Sequence, residues 1–305
     1  MEKFLIYTIP IYLFSIIFEL LYARKRLPNT YILSDTVASL SMGIGFLIVS
    51  GICNIFVFKI FYFLNQNSLF KIPYALSAIL YEQKINWWIF LLLIFADDFC
   101  YYWYHRLSHI CRFFWCAHET HHSSQYYNFG TALRQPWLGS PITWVFWAPL
   151  AIIGFRVEDI LLQVSLNLFY QFWLHTRLTK SLGYFGVIFN TPSHHRVHHG
   201  SDILYLDKNY AGIFIIWDKI FKTFKAEENE PKYGVLHNIN SFNPFIIGLH
   251  MVKELYQDIK NADKYSDKIK YLIKAPGWSH SGNGKTSLDL QKEYYTNQKK
   301  EKYNY

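Results

Sequence analysis

Apolar residues in this chain come in long runs separated by short polar interruptions. Residues 4–23, FLIYTIPIYLFSIIFELLYA, make the first run, with Pro10 inside it and Glu19 near its end. At about 1.5 Å of rise per residue, such a run is one bilayer crossing. It is followed by Arg24, Lys25 and Arg26 and by no small-residue cleavage site, so it reads as a retained span, not a signal peptide. A second span is expected from Asp35 to Leu64, where Gly43, Gly45 and Gly51 would let a neighbouring helix approach closely. Residues 65–84 are mixed and belong at the outer surface. Trp87 and Trp88 mark an interface, and residues 87–104 cross back. The apolar stretches 137–155 and 160–174 predict a helical hairpin that enters and returns to the same side. The basic stop at Arg24–Arg26 places that end in the cytoplasm and the N-terminus outside. Ala211–Trp217 is too short to cross and predicts a helix lying against the bilayer. The polar stretch from Lys253 predicts a surface helix followed by a loose end.

The pattern therefore predicts an all-α protein: polytopic membrane helices carrying a helical, histidine-rich di-metal domain on the cytoplasmic side. Three regions are expected: an N-terminal transmembrane region (1–86), a catalytic domain (87–250) and a polar tail (251–305). Composition agrees, with 51% hydrophobic and 20% aromatic residues. The net charge of +8 suits anionic lipid headgroups, and no motif supports nucleic acid as a partner. Cys53, Cys100, Cys111 and Cys116 form no CxxC pair and predict no disulfide framework. GNGKTS at 282–287 lacks the phosphate-loop spacing, because Ser279 stands where the first glycine belongs.

The chemistry concentrates in the histidines. His105 and His109 are four apart; His118, His121 and His122 form HxxHH; His195, His198 and His199 form a second HxxHH. Residues four apart share a helix face. Eight imidazoles exceed the four ligands of one tetrahedral ion and suit two metals such as iron or zinc. Burying so many polar rings without partners would cost too much for a purely structural role. His175, ending QFWLH, is a possible ninth ligand. Asp98, His194, Asn128 and Asp207 are candidates to hold the ligand rings from outside, Asp98 by accepting the second ring proton of His105. Thr191 or Ser193 would cap the helix bearing the last box.

The order HxxxH, HxxHH, HxxHH resembles the fatty acid hydroxylase and sterol desaturase superfamily. The flanking words DDFCYYWYHR, HETHHSSQYYNFGTALRQ, NTPSHHRVHHG and DKNYAGIFIIWDKIFKTF are similar to its alkylglycerol monooxygenase branch. The resemblance covers roughly residues 97–247. It implies a di-iron site that activates O₂, with the eight box histidines as ligands, a membrane lipid substrate and an external electron donor. In the animal branch that donor is tetrahydrobiopterin. One departure stands out: the animal pattern has Glu after the second histidine of HxxxH, and this chain has Ile110. The expected setting is a bacterial inner membrane, with the active site facing the cytoplasm. Competing readings are a sterol or fatty acyl hydroxylase or desaturase, a membrane metallohydrolase using metal-bound water, and a metal transport or storage protein.

Overall fold

The computed structural model describes residues 2–303, and among them there is no β-strand, only two isolated bridges. Three long helices come first: α1 (Glu2–Arg26), α2 (Leu33–Gln66) and α3 (Trp87–Ile110). By length and composition Tyr7–Arg26 and Leu33–Gln66 are each able to cross a membrane. Their outward sides carry large apolar residues such as Phe14, Ile48 and Phe56, each more than half exposed. A water-facing surface does not collect so many, and the chain is a membrane protein. α3 continues the apolar pattern with exposed Trp88 and Leu92, starts at the Asn86 cap and runs past His105 to Ile110. Cys111, in extended backbone, breaks it from α4 (Arg112–His122).

Between α4 and the second histidine-rich stretch the chain is more broken than a hairpin. Residues 137–155 hold two short helices, α6 (Ser140–Thr143) and α7 (Ala148–Ile153), with a 3₁₀ turn between them; α5 (Phe129–Ala132) precedes them. Pro141 and Pro149 each sit in a first turn, where proline starts a helix and prevents continuation of the one before. Only the second arm is one helix, α8 (Val157–Phe172). It packs with α3 and α7 around Leu93, Tyr101, Trp147, Leu150 and Ile160. Two of the three α2 glycines make the expected close contacts. A Cβ on Gly45 would lie 2.3 Å from the Trp137 indole nitrogen, and one on Gly43 2.8 Å from the Leu133 carbonyl, whereas Gly51 has nothing near it.

Buried carboxylates tie the membrane helices to the loops. Glu19 of α1 accepts from the Tyr31 hydroxyl, the Phe129 amide and the Thr176 hydroxyl. Asp35 of α2 pairs with the buried Arg134 and accepts from Ser124. Asp159 of α8 accepts the amides of Ala75 and Ser77 at 2.8 and 2.6 Å. Each charge at this depth has its partners, as burial demands.

After α8 come α9 (Phe185–Ile188), α10 (Pro192–His198) and α11 (Ile216–Ile220). Ala211–Trp217 is not a helix lying on the membrane: helical geometry is confined to α11. Asp207 and Asn209 take left-handed backbone, with φ of 55° and 56°, which ends any helix there. The C-terminal region is more ordered than expected. α12 (Pro244–Asn261), which runs across residue 250, and α13 (Tyr265–Ile273) close over α4, and α14 (Ser287–Tyr303) follows. Cys116, Leu255, Ala262 and Tyr271 form their small core. Arg112 pairs with Asp258 at 2.6 Å and lies over the Tyr271 ring.

Candidate metal centre

α3 presents His105 and His109 one turn apart. α4 presents His118, His121 and His122, α10 presents His195 and His198, and His199 follows immediately. His175 stands just beyond α8. All nine are buried, and their nitrogens gather into two groups. His105, His109, His118, His122 and His198 form one; His121, His175, His195 and His199 form the other; within each group the ligand atoms lie within 4.8 Å of one another. The HxxHH spacing explains the division. In the first such box the residues four apart, His118 and His122, enter the five-histidine group, and His121 points to the other. In the second box His195 and His199 enter the four-histidine group, and His198 crosses to the first. The groups adjoin, with the His122 and His199 rings stacked at 4.3 Å.

Inward nitrogens approach closely. Nε2 of His118 lies 2.9 Å from Nε2 of His105 and 3.1 Å from Nε2 of His122. Nε2 of His175 lies 3.1 Å from that of His121 and 3.0 Å from that of His195. Nitrogens sharing one metal at about 2.1 Å are separated by roughly 3.0–3.4 Å for octahedral to tetrahedral angles. Outward nitrogens meet acceptors. Nδ1 of His105 faces the Tyr210 carbonyl at 2.8 Å, that of His198 the Lys208 carbonyl at 2.9 Å, and that of His175 the Gln171 carbonyl at 2.9 Å. Nδ1 of His121 faces the Arg134 carbonyl at 3.3 Å, and that of His109 faces Asp207 at 3.4 Å. A carbonyl there holds the ring proton on Nδ1 and leaves Nε2 a lone pair for a metal. Nε2 of His109, His198 and His199 is buried without a hydrogen-bond partner, which a bound cation would remedy. Burial pushes the His121 imidazole down to about 4 and holds His118, His122, His175, His195, His198 and His199 well below the usual histidine range, with neighbouring rings adding to the effect. Neutral imidazoles are the form that ligates. The donor set therefore fits two metal ions.

The four candidates for outer support divide. The Asp207 carboxylate stands 3.4 Å from Nδ1 of His109. Asp98 does not reach His105. Its carboxylate accepts the amides of Ile213 and Phe214 at 2.6 and 2.9 Å and the Trp217 indole at 3.0 Å, because the 210–214 loop, not a ring, fills the space beside it. Its influence on His105 passes through that loop and the Tyr210 carbonyl. His194 joins neither group: its ring packs on Phe224, its Nδ1 has no partner and its carbonyl accepts from Asn209. Asn128 touches no histidine. It caps α5 through Gly130 and donates to the Thr30 carbonyl at 2.6 Å, which steadies the helix leading to Arg134. Thr191 occupies the cap position of α10 without a side-chain cap bond; its hydroxyl pairs with that of Ser193.

Sequence reasoning missed the main-chain carbonyls of Lys208, Tyr210 and Arg134, since carbonyls carry no residue signature. The buried Asp218 carboxylate accepts the amides of Tyr210 and Ala211 at 2.9 and 2.8 Å. Burial pushes it up to about 6 against those hydrogen bonds. Asp98 and Asp218 thus grip successive amides of one loop, and Gly212 lets it pass: a Cβ there would stand 2.6 Å from the Asp98 carboxylate.

The fatty acid hydroxylase family model matches residues 90–223, a segment holding every histidine of both groups. Residues 90–223 belong to the fatty acid hydroxylase family. The chain is also 44% identical over 207 residues to alkylglycerol monooxygenase of Homo sapiens, covering 68% of this chain and 45% of that protein. It is 40% identical over 209 residues to alkylglycerol monooxygenase of Caenorhabditis elegans, covering 63% of this chain and 40% of that one. Ornithine lipid hydroxylase of Rhizobium tropici is 28% identical over 144 residues, covering 45% of this chain and 41% of that protein. The matches span less than half the length of these relatives. No solved structure matches the chain.

Proposed function

We propose that this chain is a membrane-bound, O₂-dependent lipid monooxygenase that uses two iron ions, one in each histidine group. The observation that carries the reading is the sorting of nine buried histidines into adjoining groups of five and four within the hydroxylase segment. Iron, when bound, supplies the redox chemistry that an unactivated C–H bond requires. The chain's own residues hold the rings, keep protons on the outward nitrogens and exclude bulk water. In the overall reaction one oxygen atom enters a C–H bond and the other leaves as water, consuming two protons and two electrons from an external donor. Tetrahydrobiopterin is the donor that the animal branch implies, and Ile110, at the end of α3, is where this chain departs from that branch. The enclosed groups do not string ligands along a transmembrane path as a metal transporter would.

The substrate reading is an alkylglycerol, on the similarity to alkylglycerol monooxygenases. Hydroxylation of its ether-linked carbon gives a hemiacetal, which breaks into a fatty aldehyde and glycerol. The weaker similarity to ornithine lipid hydroxylase favours acyl hydroxylation as the second reading. Iron-loaded protein, a reductant and ¹⁸O₂ are incubated with alkylglycerols, acyl lipids and sterols, with water exchange controlled. Label in a fatty aldehyde is expected. Label confined to an intact acyl lipid or sterol rejects ether cleavage, and an equal rate without O₂ rejects the monooxygenase.

The proposed orientation puts the N-terminus outside and both histidine-rich stretches in the cytoplasm, because Arg24–Arg26 stop the first span. Reporter fusions after Tyr31 and after Lys225 should both report the cytoplasm. Opposite locations would break this arrangement.

A further inference from the structure

The two histidine groups do not open symmetrically. A cavity of about 410 Å³ runs from the five-histidine group to the C-terminal helices, and His109, His122 and His198 form its inner end. No histidine of the second group lines it. The buried, unpartnered Nε2 atoms of His109 and His198 belong to this lining. Its outer wall is a polar stripe of α12, His250, Glu254 and Asp258, spaced at successive turns. Glu119 and Asp207 also line it. α12 and the 274–287 loop lie beyond the hydroxylase segment, so a region with no assigned role builds half of the chamber.

The charges are unequal. Of the two cations, Arg112 is committed to Asp258 at 2.6 Å, and Lys285 to Glu293, which is not part of the lining, at 2.8 Å. Glu119, Glu254 and Asp207 have no such lysine or arginine. His250 stands between the first two, 3.6 Å from Glu119 and 3.4 Å from Glu254, with a buried Nδ1 that makes no hydrogen bond. An anionic headgroup would meet these carboxylates where water is partly excluded. Hydroxyl groups would find acceptors in the same oxygens. α12 also exposes Phe245, Ile246 and Leu249 away from this stripe, an apolar edge suited to the bilayer interface.

We propose that this cavity is the headgroup subsite for the lipid substrate, that it selects an uncharged, hydroxyl-bearing headgroup against a phosphate-bearing one, and that Glu254 is a specificity-determining residue. The substrate role rests on the monooxygenase reading; the binding preference does not. A lipid seated here presents the carbon next to its headgroup to the five-histidine group.

The test uses the full chain in nanodiscs with two tritiated probes, a hexadecyl ether of glycerol and the same lipid carrying a 3-phosphate. Glu254 has a half-exposed side chain, so Glu254→Gln and Glu254→Lys should both fold. Wild type is expected to bind the neutral probe at least about tenfold more tightly, and Glu254→Lys to narrow that ratio to about threefold or less. Glu254→Gln should fall between them. With iron and reductant the KM ratio should follow the binding ratio, with kcat moving less. Equal binding of both probes by wild type, or a ratio untouched in Glu254→Lys, overturns the subsite. If no lipid is oxidised and the binding ratios hold, the monooxygenase reading fails and the subsite stands. If the neutral probe is oxidised and the ratios do not respond to residue 254, the subsite fails alone.

Discussion

His121→Ala lowers bound iron from the proposed two ions per chain to about one and cuts lipid oxidation by more than ~10³-fold, beyond the 10–100-fold typical of losing an outer partner. The four-histidine group keeps three imidazoles in this variant and the neighbouring group keeps all five. His122→Ala makes the complementary case. Its group falls from five to four, so metal is lost less completely while activity falls comparably, because the remaining rings no longer set the same geometry. Elemental analysis beside an ¹⁸O₂ turnover assay on both variants reads the difference. Two irons and near-normal turnover in His121→Ala would sink the assignment of that group. Substitution in an adjoining pair of residues thus tests separate sites, since the side chains diverge from α4.

The second large effect is expected at Asp98, which contacts no histidine. Asp98→Asn turns an acceptor into a group whose amide hydrogens face the Ile213 and Phe214 amides and the Trp217 indole. Losing these charge-assisted bonds costs about 2–4 kcal/mol of stability. The 210–214 loop then no longer fixes the Tyr210 carbonyl on Nδ1 of His105, and metal affinity of the five-histidine group drops about 10–100-fold. Iron retained against a competing chelator, measured beside the thermal unfolding midpoint in detergent, checks both parts. Wild-type chelator resistance with an unchanged midpoint would show that Asp98 does not position the site.

The histidine boxes were legible in the sequence because four-residue spacing is a local property of a helix, and α3, α4 and α10 are helices where the boxes stand. That His175 joins the second group was legible only as a possibility, since nothing local ties it to a box 20 residues away. Asp98 misled for a related reason: the loop amides it accepts lie more than a hundred residues downstream, whereas His105 lies two turns along the same helix. The Ala211–Trp217 run looked helical by its apolar content, but left-handed Asp207 and Asn209 and the amide grip of Asp98 and Asp218 make it a loop. A surface helix from Lys253 was legible, but the packing of α12 and α13 was hidden by their polar composition. Their apolar contacts, among them Leu255 and Tyr271 on Cys116, are too few to dominate a window, although they suffice to seat α12 and α13 over α4.

Ligands of both groups are shared out along the chain, and this has a consequence in time. The five-histidine group has four of its members once α4 is made and waits only for His198. The four-histidine group has His121 alone at that stage, gains His175 later, and is completed by His195 and His199. At about 5–20 residues per second of synthesis, the 76 residues from His122 to His198 take about 4–15 s to appear. During that interval one half of the centre offers four imidazoles to any divalent ion present, and zinc accepts imidazole without redox activity. The direction of translation therefore favours filling the five-histidine half first and exposes that half to the wrong metal.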